Sequence, residues 1–197
     1  MLEVILASGN EHKAQEFAEL FHGRIQVRPA PRGLQPEETG TTYIENALIK
    51  AKAYYDEFKL PALADDSGLT IIGLPDILGV QSARFMPELP SYKEKCQQLL
   101  KLLEAGGSRE AYFTCVLCFY LNPTEVYFFE GRVHGEIGLE YRGDWGFGYD
   151  PIFVPLRSEN DGKTLAELPE WKNKHSHRAK ASAQALSFFN KSRLRAE

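Results

Sequence analysis

The apolar positions of this chain recur at two different periods, and the alternation between them predicts its architecture. Residues 2–7, apolar except for Glu3, read as a buried strand, and Ser8-Gly9-Asn10 ends it. Apolar residues then return at Ala14, Phe17, Ala18 and Phe21, a spacing of about 3.6 that predicts a helix. Residues 22–38 are rich in Pro and Arg and hold one weak strand. Thr42 and Glu45 have the spacing of a capping box. The helix it opens carries the stripe Ile44, Ala47, Leu48, Ala51, Tyr55 and Phe58. Beyond Pro61 the pattern predicts a short strand over 62–66, strand fragments at 69–72 and 80–85, and a helix over 91–105 that stops at Gly106-Gly107. Two long strands near 111–121 and 125–137 flank Asn122-Pro123-Thr124, a hairpin signal. A glycine-rich turn over 143–148 precedes Tyr149–Val154, and a last helix runs from about 177 to 192. Helices interleave with strands and one hairpin imposes antiparallel pairing. The expectation is an α/β fold with a mixed sheet, in one domain over residues 1–197.

Composition narrows the function more than the fold. Hydrophobic residues make up 43% and charged residues 25% of the 197 positions, which is globular. A net charge of −4 argues against sequence-independent binding of nucleic acid, so any anion must be held by local basic groups. The start of the chain lacks the basic region of a signal peptide, and no apolar run approaches the roughly 18 residues of a membrane span. A cytoplasmic location and no membrane partner are expected. Cys115 and Cys118 lie three apart in a strand-like run, so they point to opposite faces and read as buried thiols, like Cys96.

Five segments carry candidate chemistry. In Leu63-Ala64-Asp65-Asp66-Ser67-Gly68 two carboxylates close what reads as a buried strand, and burying them unpaired costs several kcal/mol. Alternation sends them to opposite faces, so one is the metal-facing group; Asp66 is the choice, as ligand and as base toward water. Carboxylates without a convincing Cys/His set favour Mg²⁺ over zinc. Ser8-Gly9-Asn10-Glu11-His12-Lys13 joins a strand to a helix, where free backbone N–H groups and the dipole suit phosphate. It reads equally well as an N-cap followed by a solvated lysine. Glu37-Glu38 precedes a helix on which Asn46 and Lys50, four apart, share a face: either a solvated acidic loop, or Glu38 on a metal and Lys50 on a phosphate. Gly146–Pro151 reads as a tight turn with core aromatics or as a place where Phe147 stacks on a base. The basic run Lys172–Arg178 is a solvated face or an anion site at a helix start capped by Ser176.

Taken together and in order, Ser-Gly-Asn-x-x-Lys (8–13), Glu-Glu-Thr-Gly (37–40), Glu-Asn-Ala (45–47) with Lys50, Ala-Asp-Asp-Ser-Gly (64–68), Ser-Ala-Arg (82–84), Gly-Phe-Gly-Tyr-Asp-Pro-Ile-Phe (146–153) and Ser-His-Arg (176–178) resemble the inosine triphosphate pyrophosphatase family, also called dITP/XTP pyrophosphatases. The resemblance implies Mg²⁺-dependent hydrolysis of non-standard purine nucleoside triphosphates (ITP, dITP, XTP) to monophosphate and pyrophosphate. It further implies an elongated mixed sheet with two lobes around a central cleft, and a homodimer. Carried over by motif, Ser8, Gly9, Asn10, Glu11, His12, Lys13 and Lys50 look like triphosphate contacts, Glu38 and Asp66 like metal ligands, and Asp66 like the proton acceptor. Ser67 looks like a further substrate contact. Phe147, Gly148, Tyr149, Asp150, Lys172, His177 and Arg178 look like the base and sugar pocket. The chain departs from the family's usual Pro-Gly-Val-Tyr-Ser pattern at Asp76–Pro87, a loop whose shape bears on the dimer. Rival readings are a pyrophosphohydrolase for a pyrimidine or otherwise modified triphosphate, and a catalytically silent nucleotide-binding regulator. A two-carboxylate glycosidase is remote, because sugar sites rarely collect Lys13, Lys50, Lys172 and Arg178.

Overall fold

Along β1 (Leu2–Leu6) successive buried side chains pack on opposite faces, Val4 and Leu6 on one and Ile5 on the other, in the computed structural model, which describes residues 1–9, 11–156 and 161–193. The side chains of Glu11, His12, Ser192 and Arg193 also lie outside the described set. After β1 come α1 (Glu11–Phe21), β2 (Ile25–Pro29), α2 (Tyr43–Phe58), β3 (Ala62–Ile71), α3 (Tyr92–Glu104), β4 (Glu110–Asn122), β5 (Glu125–Ile137), β6 (Phe153–Pro155), α4 (Pro169–His175) and α5 (His177–Arg193). The six strands form one mixed sheet in the order β2-β1-β3-β4-β5-β6. β1 pairs parallel with β2, Leu2 opposite Ile25, and with β3, Ile5 opposite Ala62. β5 pairs antiparallel with β6. This is the expected α/β class with a mixed sheet.

The chain divides into two compact units. One comprises residues 1–67, 115–131 and 177–197, the other 68–114 and 132–176. β3, β4 and β5 each contribute residues to both. In the first unit, period-two alternation separates two apolar layers. Val4, Leu6, Leu63, Cys115, Leu117 and Phe119 pack with Phe17 and Phe21 of α1 and Ala181 and Ala185 of α5. Ile5, Ala7, Ala62, Ala64, Val116 and Cys118 pack with Ala47, Ala51 and Tyr54 of α2. Cys115 and Cys118 therefore do fall on opposite faces, as buried free thiols. In the second unit a single core gathers Leu69, Ile71, Cys96, Leu99, Leu103, Phe113, Ile152 and Phe153 around α3.

Several local expectations hold. Thr42 caps α2 with both halves of the capping box in place, Ser91 caps α3, and the two-residue turn after Asn122 is held by the Thr124 N–H donating to Asn122 Oδ1 at 2.9 Å. Others need correction. The stretch 62–71 is one continuous strand, so Asp65 and Asp66 lie inside β3 and not at its end. Residues 79–84 form a 3₁₀ helix instead of a strand fragment. Ser82 pins it: its hydroxyl accepts from the Leu69 N–H at 2.9 Å, while Tyr149 donates to the Ser82 carbonyl at 2.7 Å. α4 was not expected from the apolar pattern, because its seven residues are too short to display a period. On α1 Ala18 is exposed, and on α2 Ile44 is exposed while Tyr54 takes the core place foreseen for Tyr55.

The seating of α5 on β5 depends on a missing side chain. A Cβ at Gly131 would stand 2.1 Å from the His177 carbonyl oxygen and 2.6 Å from the Ala181 nitrogen, both backbone atoms. We predict that Gly131→Ala lowers unfolding free energy by about 3 kcal/mol, at the upper end of overpacking, because helix or strand must shift. A urea midpoint equal to that of the unsubstituted protein would show that this contact does not seat the helix.

Candidate functional site

Strand alternation turns two adjacent carboxylates into two different environments. Asp65 follows Leu63 on the face covered by α1 and α5, and Asp66 follows Ala64 on the face covered by α2. Asp65 meets the Lys13 ammonium at 2.9 Å and the Arg178 guanidinium at 3.0 Å. Asp66 meets the Lys50 ammonium at 2.8 Å, and the Asn46 carboxamide donates to it at 3.5 Å.

Among the described residues the Asp65 side is electrically balanced. Arg178 is 1% exposed and donates also to Glu16 at 2.8 Å and to the Ser67 hydroxyl at 3.2 Å. Burial alone would raise the Asp65 proton affinity, but the charges of Lys13, Arg178 and Lys50 hold the carboxyl far below the usual range. Burial likewise opposes the charge on Arg178, and Glu16 and Asp65 overcome it, so the guanidinium is held above its ordinary value. Two cations and two anions share this cluster.

Among the described residues the Asp66 side carries excess negative charge. The Lys50 ammonium bridges Glu38 and Asp66, at 2.8 Å from each. Burial pulls Lys50 down, but Asp66, Asp65 and Glu38 together push it above its ordinary value. Asp66 is nevertheless raised: burial is the largest cause, Glu38 and Asp65 add to it, and Lys50 offsets only part. The two partners shift upward for different reasons: the carboxylates raise Lys50 against burial, and burial first and the neighbouring carboxylates second raise Asp66. Asn46, fully buried, fixes the geometry. Its Oδ1 accepts the Gly40 N–H at 2.9 Å, which orients its NH₂ toward Asp66 and ties down the loop that carries Glu38. A cavity of about 270 Å³ adjoins these groups, lined by Ser8, Gly9, Lys13, Glu38, Lys50 and Asp65 among others.

These donors fit a divalent metal ion. Glu38 and Asp66 converge on one cation position, offer hard oxygens, and belong to a group that is short of positive charge. Among the described residues no group of three or more His, Cys, Asp and Glu is placed to hold a metal. Substrate oxygens and water would have to complete the shell, the usual arrangement for Mg²⁺ at phosphates.

In the second unit, Asp150 Oδ2 accepts from the Phe147 N–H at 2.9 Å and from the Lys172 ammonium at 2.7 Å. That ammonium also lies 4.5 Å from the Phe147 ring centroid and 5.2 Å from that of Trp145. Gly146 adopts φ +87, and a Cβ there would reach 2.4 Å from Asp150 Oδ2, so the Gly-Phe-Gly spacing serves this turn. Gly148 is partly exposed beside it, while the Tyr149 side chain is committed to the core, edge-on to Tyr92.

The site residues expected from sequence thus fall into separate groups. Ser8, Gly9, Lys13, Glu38, Lys50, Asp66 and Ser67 belong to the first unit, as do His177 (5% exposed) and Arg178. Phe147, Gly148, Tyr149, Asp150 and Lys172 belong to the second. Asn10 and the side chains of Glu11 and His12 lie outside the described residues. Sequence reading missed three participants. Glu16 stands three residues after Lys13 on the same helix face, Asn46 was placed on the Lys50 face but given no role, and Trp145 borders Lys172. For the first two, i,i+3 and i,i+4 spacing to a chosen lysine was an available signal.

The model of the Ham1 family matches residues 4–188. The chain is 44% identical over 192 residues to the dITP/XTP pyrophosphatase of Aquifex aeolicus, covering 91% of this chain and 93% of that one. It is 43% identical over 193 residues to the dITP/XTP pyrophosphatase of Coxiella burnetii, covering 93% and 94%. Among solved structures it is similar to a HAM1 protein from Coxiella burnetii, with a TM-score of 0.84 and 40% identity over 97% of this chain and 100% of that one. The Staphylococcus aureus Ham1 protein gives a TM-score of 0.83 and 34% identity over 96% and 99%.

We predict that Asp65→Asn lowers stability at neutral pH by about 3 kcal/mol, since it leaves Arg178 short of a buried partner. Asp65 has a depressed folded-state proton affinity, so its contribution is complete above the unfolded carboxylate value of about 3.9 and is lost as pH falls below it. Urea midpoints of the two proteins should therefore differ most above pH 5 and draw together below pH 4. A gap that widens in acid would reverse the assignment.

Proposed function

The chain belongs to the Ham1 family, and on that premise we propose that it is a nucleoside triphosphate pyrophosphohydrolase that hydrolyses non-standard purine triphosphates (ITP, dITP, XTP) to the monophosphate and pyrophosphate. The observation that carries the reading is the negatively charged half of the β3 carboxylate pair. Glu38 and Asp66 converge on one cation position beside a cavity lined by Ser8, Gly9, Lys13, Glu38 and Lys50. A plain anion pocket has no use for such a carboxylate pair, and a sugar site rarely surrounds one with lysines.

Glu38 and Asp66 would hold Mg²⁺, which when bound neutralises phosphate charge and lowers the pKa of attached water. The rest of the work falls to the protein's own groups. The triphosphate lies along the Ser8–Lys13 junction, where backbone N–H groups at the start of α1 face phosphate oxygens. Asp66, its proton affinity raised by burial, takes a proton from the attacking water. Water oxygen bonds to the α-phosphorus, the α–β anhydride bond breaks, and pyrophosphate leaves with its charge offset by Lys13 and Lys50. Ser67 contributes a hydroxyl toward the substrate. On the base side, within the second unit, Phe147 offers a stacking face and the Lys172 ammonium beside it, held by Asp150, a donor. A donor of this kind pairs with the 6-keto oxygen of hypoxanthine or xanthine and is left unpaired by the 6-amino group of adenine.

We further propose that the enzyme works in the cytoplasm, which three free, buried thiols suit; burial pushes Cys96 and Cys118 up to about 12. Among the described residues no helix is long and apolar enough to cross a membrane. The homodimer rests on the family resemblance.

The deciding experiment measures inorganic pyrophosphate released from ITP, dITP, XTP and the standard triphosphates, with and without Mg²⁺. ITP, dITP and XTP are expected to be cleaved in strong preference to the standard nucleotides, only with metal. Asp66→Asn is expected to lower kcat by about 100-fold or more at unchanged folding. Equal activity on standard nucleotides would sink the substrate assignment, and near-normal turnover in Asp66→Asn would remove that residue from the mechanism.

A further inference from the structure

Lys50 does two things that a permanent phosphate contact cannot do at once. Its ammonium bridges Glu38 and Asp66, 2.8 Å from each, and its side chain lines the same cavity as Ser8, Gly9 and Lys13. We infer that the Lys50 ammonium is an exchangeable stand-in for the metal: a divalent cation that takes the Glu38 and Asp66 oxygens displaces it, and the released ammonium turns to a phosphate oxygen in the adjoining cavity. The inference rests on the functional reading above and deepens it by giving the order of events at that site.

Charge and chemistry both favour exchange. The two carboxylates carry −2, the ammonium leaves the group at −1, and a divalent ion in its place makes the carboxylate pair neutral. The ammonium is then free to balance a substrate phosphate. The ammonium takes one oxygen of each carboxylate, Glu38 Oε1 and Asp66 Oδ1, and a divalent ion sharing those oxygens would stand against it as a like charge. Lysine is suited to the role: a point charge with three rotatable donors on a flexible stem, where the planar fork of arginine would be fixed to one geometry. The carboxylates are held independently of it. Asn46 contacts Asp66 through its NH₂ and accepts the Gly40 N–H at 2.9 Å, anchoring the loop that bears Glu38. Glu45 accepts from the N–H groups of the next two residues, Thr41 and Thr42, at 2.7 and 3.0 Å and secures the same end of that loop. Departure of the ammonium therefore leaves the pair in place.

The test uses the whole protein without nucleotide. Lys50→Met and, as a second variant that keeps a polar head, Lys50→Gln are compared with the unsubstituted protein by thermal unfolding in EDTA and in saturating Mg²⁺. Mn²⁺ binding is followed by electron paramagnetic resonance. In EDTA both variants should melt lower, with Glu38 and Asp66 left to repel. Saturating Mg²⁺ should close that gap, and Mn²⁺ should bind the variants about tenfold tighter, with no ammonium to displace. A gap that persists in Mg²⁺ marks Lys50 as a purely structural partner and overturns the inference. So does Mn²⁺ affinity that is unchanged, weaker or absent in the variants. Failure of the functional reading is seen separately, as a lack of pyrophosphate release by the unsubstituted protein.

Discussion

The buried ion cluster around Asp65 is the constraint on which the candidate site of the first unit depends. It joins three elements far apart in sequence: β3 through Asp65, α1 through Lys13 and Glu16, and α5 through Arg178. A carboxylate and a guanidinium this deeply buried are tolerable only as partners, and breaking one leaves the other charged in an apolar layer. The cluster is balanced, two against two, so it gives the site a frame and not a reactive group. It fixes where α1 begins relative to β3, and so where the Ser8–Lys13 junction presents its N–H groups.

The next residue along the strand has the opposite character for a purely geometric reason. Period-two alternation turns Asp66 to the α2 face, where the Lys50 ammonium bridges two carboxylates, Glu38 and Asp66. Adjacent identical side chains thereby receive opposite tasks, one saturated and structural, the other charge-deficient and suited to chemistry. The same alternation sorts Leu63 from Ala64 and Cys115 from Cys118, so the chemistry is laid out by the rule that builds the core.

Much of this was legible in the sequence. The apolar periods marked nearly every helix and strand, Thr42 and Glu45 marked the start of α2, and alternation separated Asp65 from Asp66 before any coordinates. The misses have physical causes. Asp65-Asp66-Ser67-Gly68 reads as a strand end because polar residues ordinarily stop a buried strand. Ion pairs with Lys13, Arg178 and Lys50 let β3 run through to Ile71. The stretch 79–84, expected as part of a strand fragment at 80–85, is held as a 3₁₀ helix by contacts of Ser82 with Leu69 and Tyr149, partners remote in sequence. Asn46 and Glu16 have no apolar period to betray them, since their importance lies in what their polar atoms meet across the fold. Arg178 was singled out for its charge, and its place 1% exposed against Asp65 depends on tertiary packing that no local pattern reports.

The division of labour between the two aspartates is the central claim, and the Mg²⁺ dependence of pyrophosphate release from ITP tests it most directly. With Asp65 in the frame and Asp66 on the metal, Asp65→Asn should need the same Mg²⁺ concentration for half-maximal activity as the unsubstituted enzyme, whatever its KM. Asp66→Asn should need far more for whatever activity remains. An Asp65→Asn enzyme whose Mg²⁺ requirement rises as steeply as that of Asp66→Asn would contradict the account.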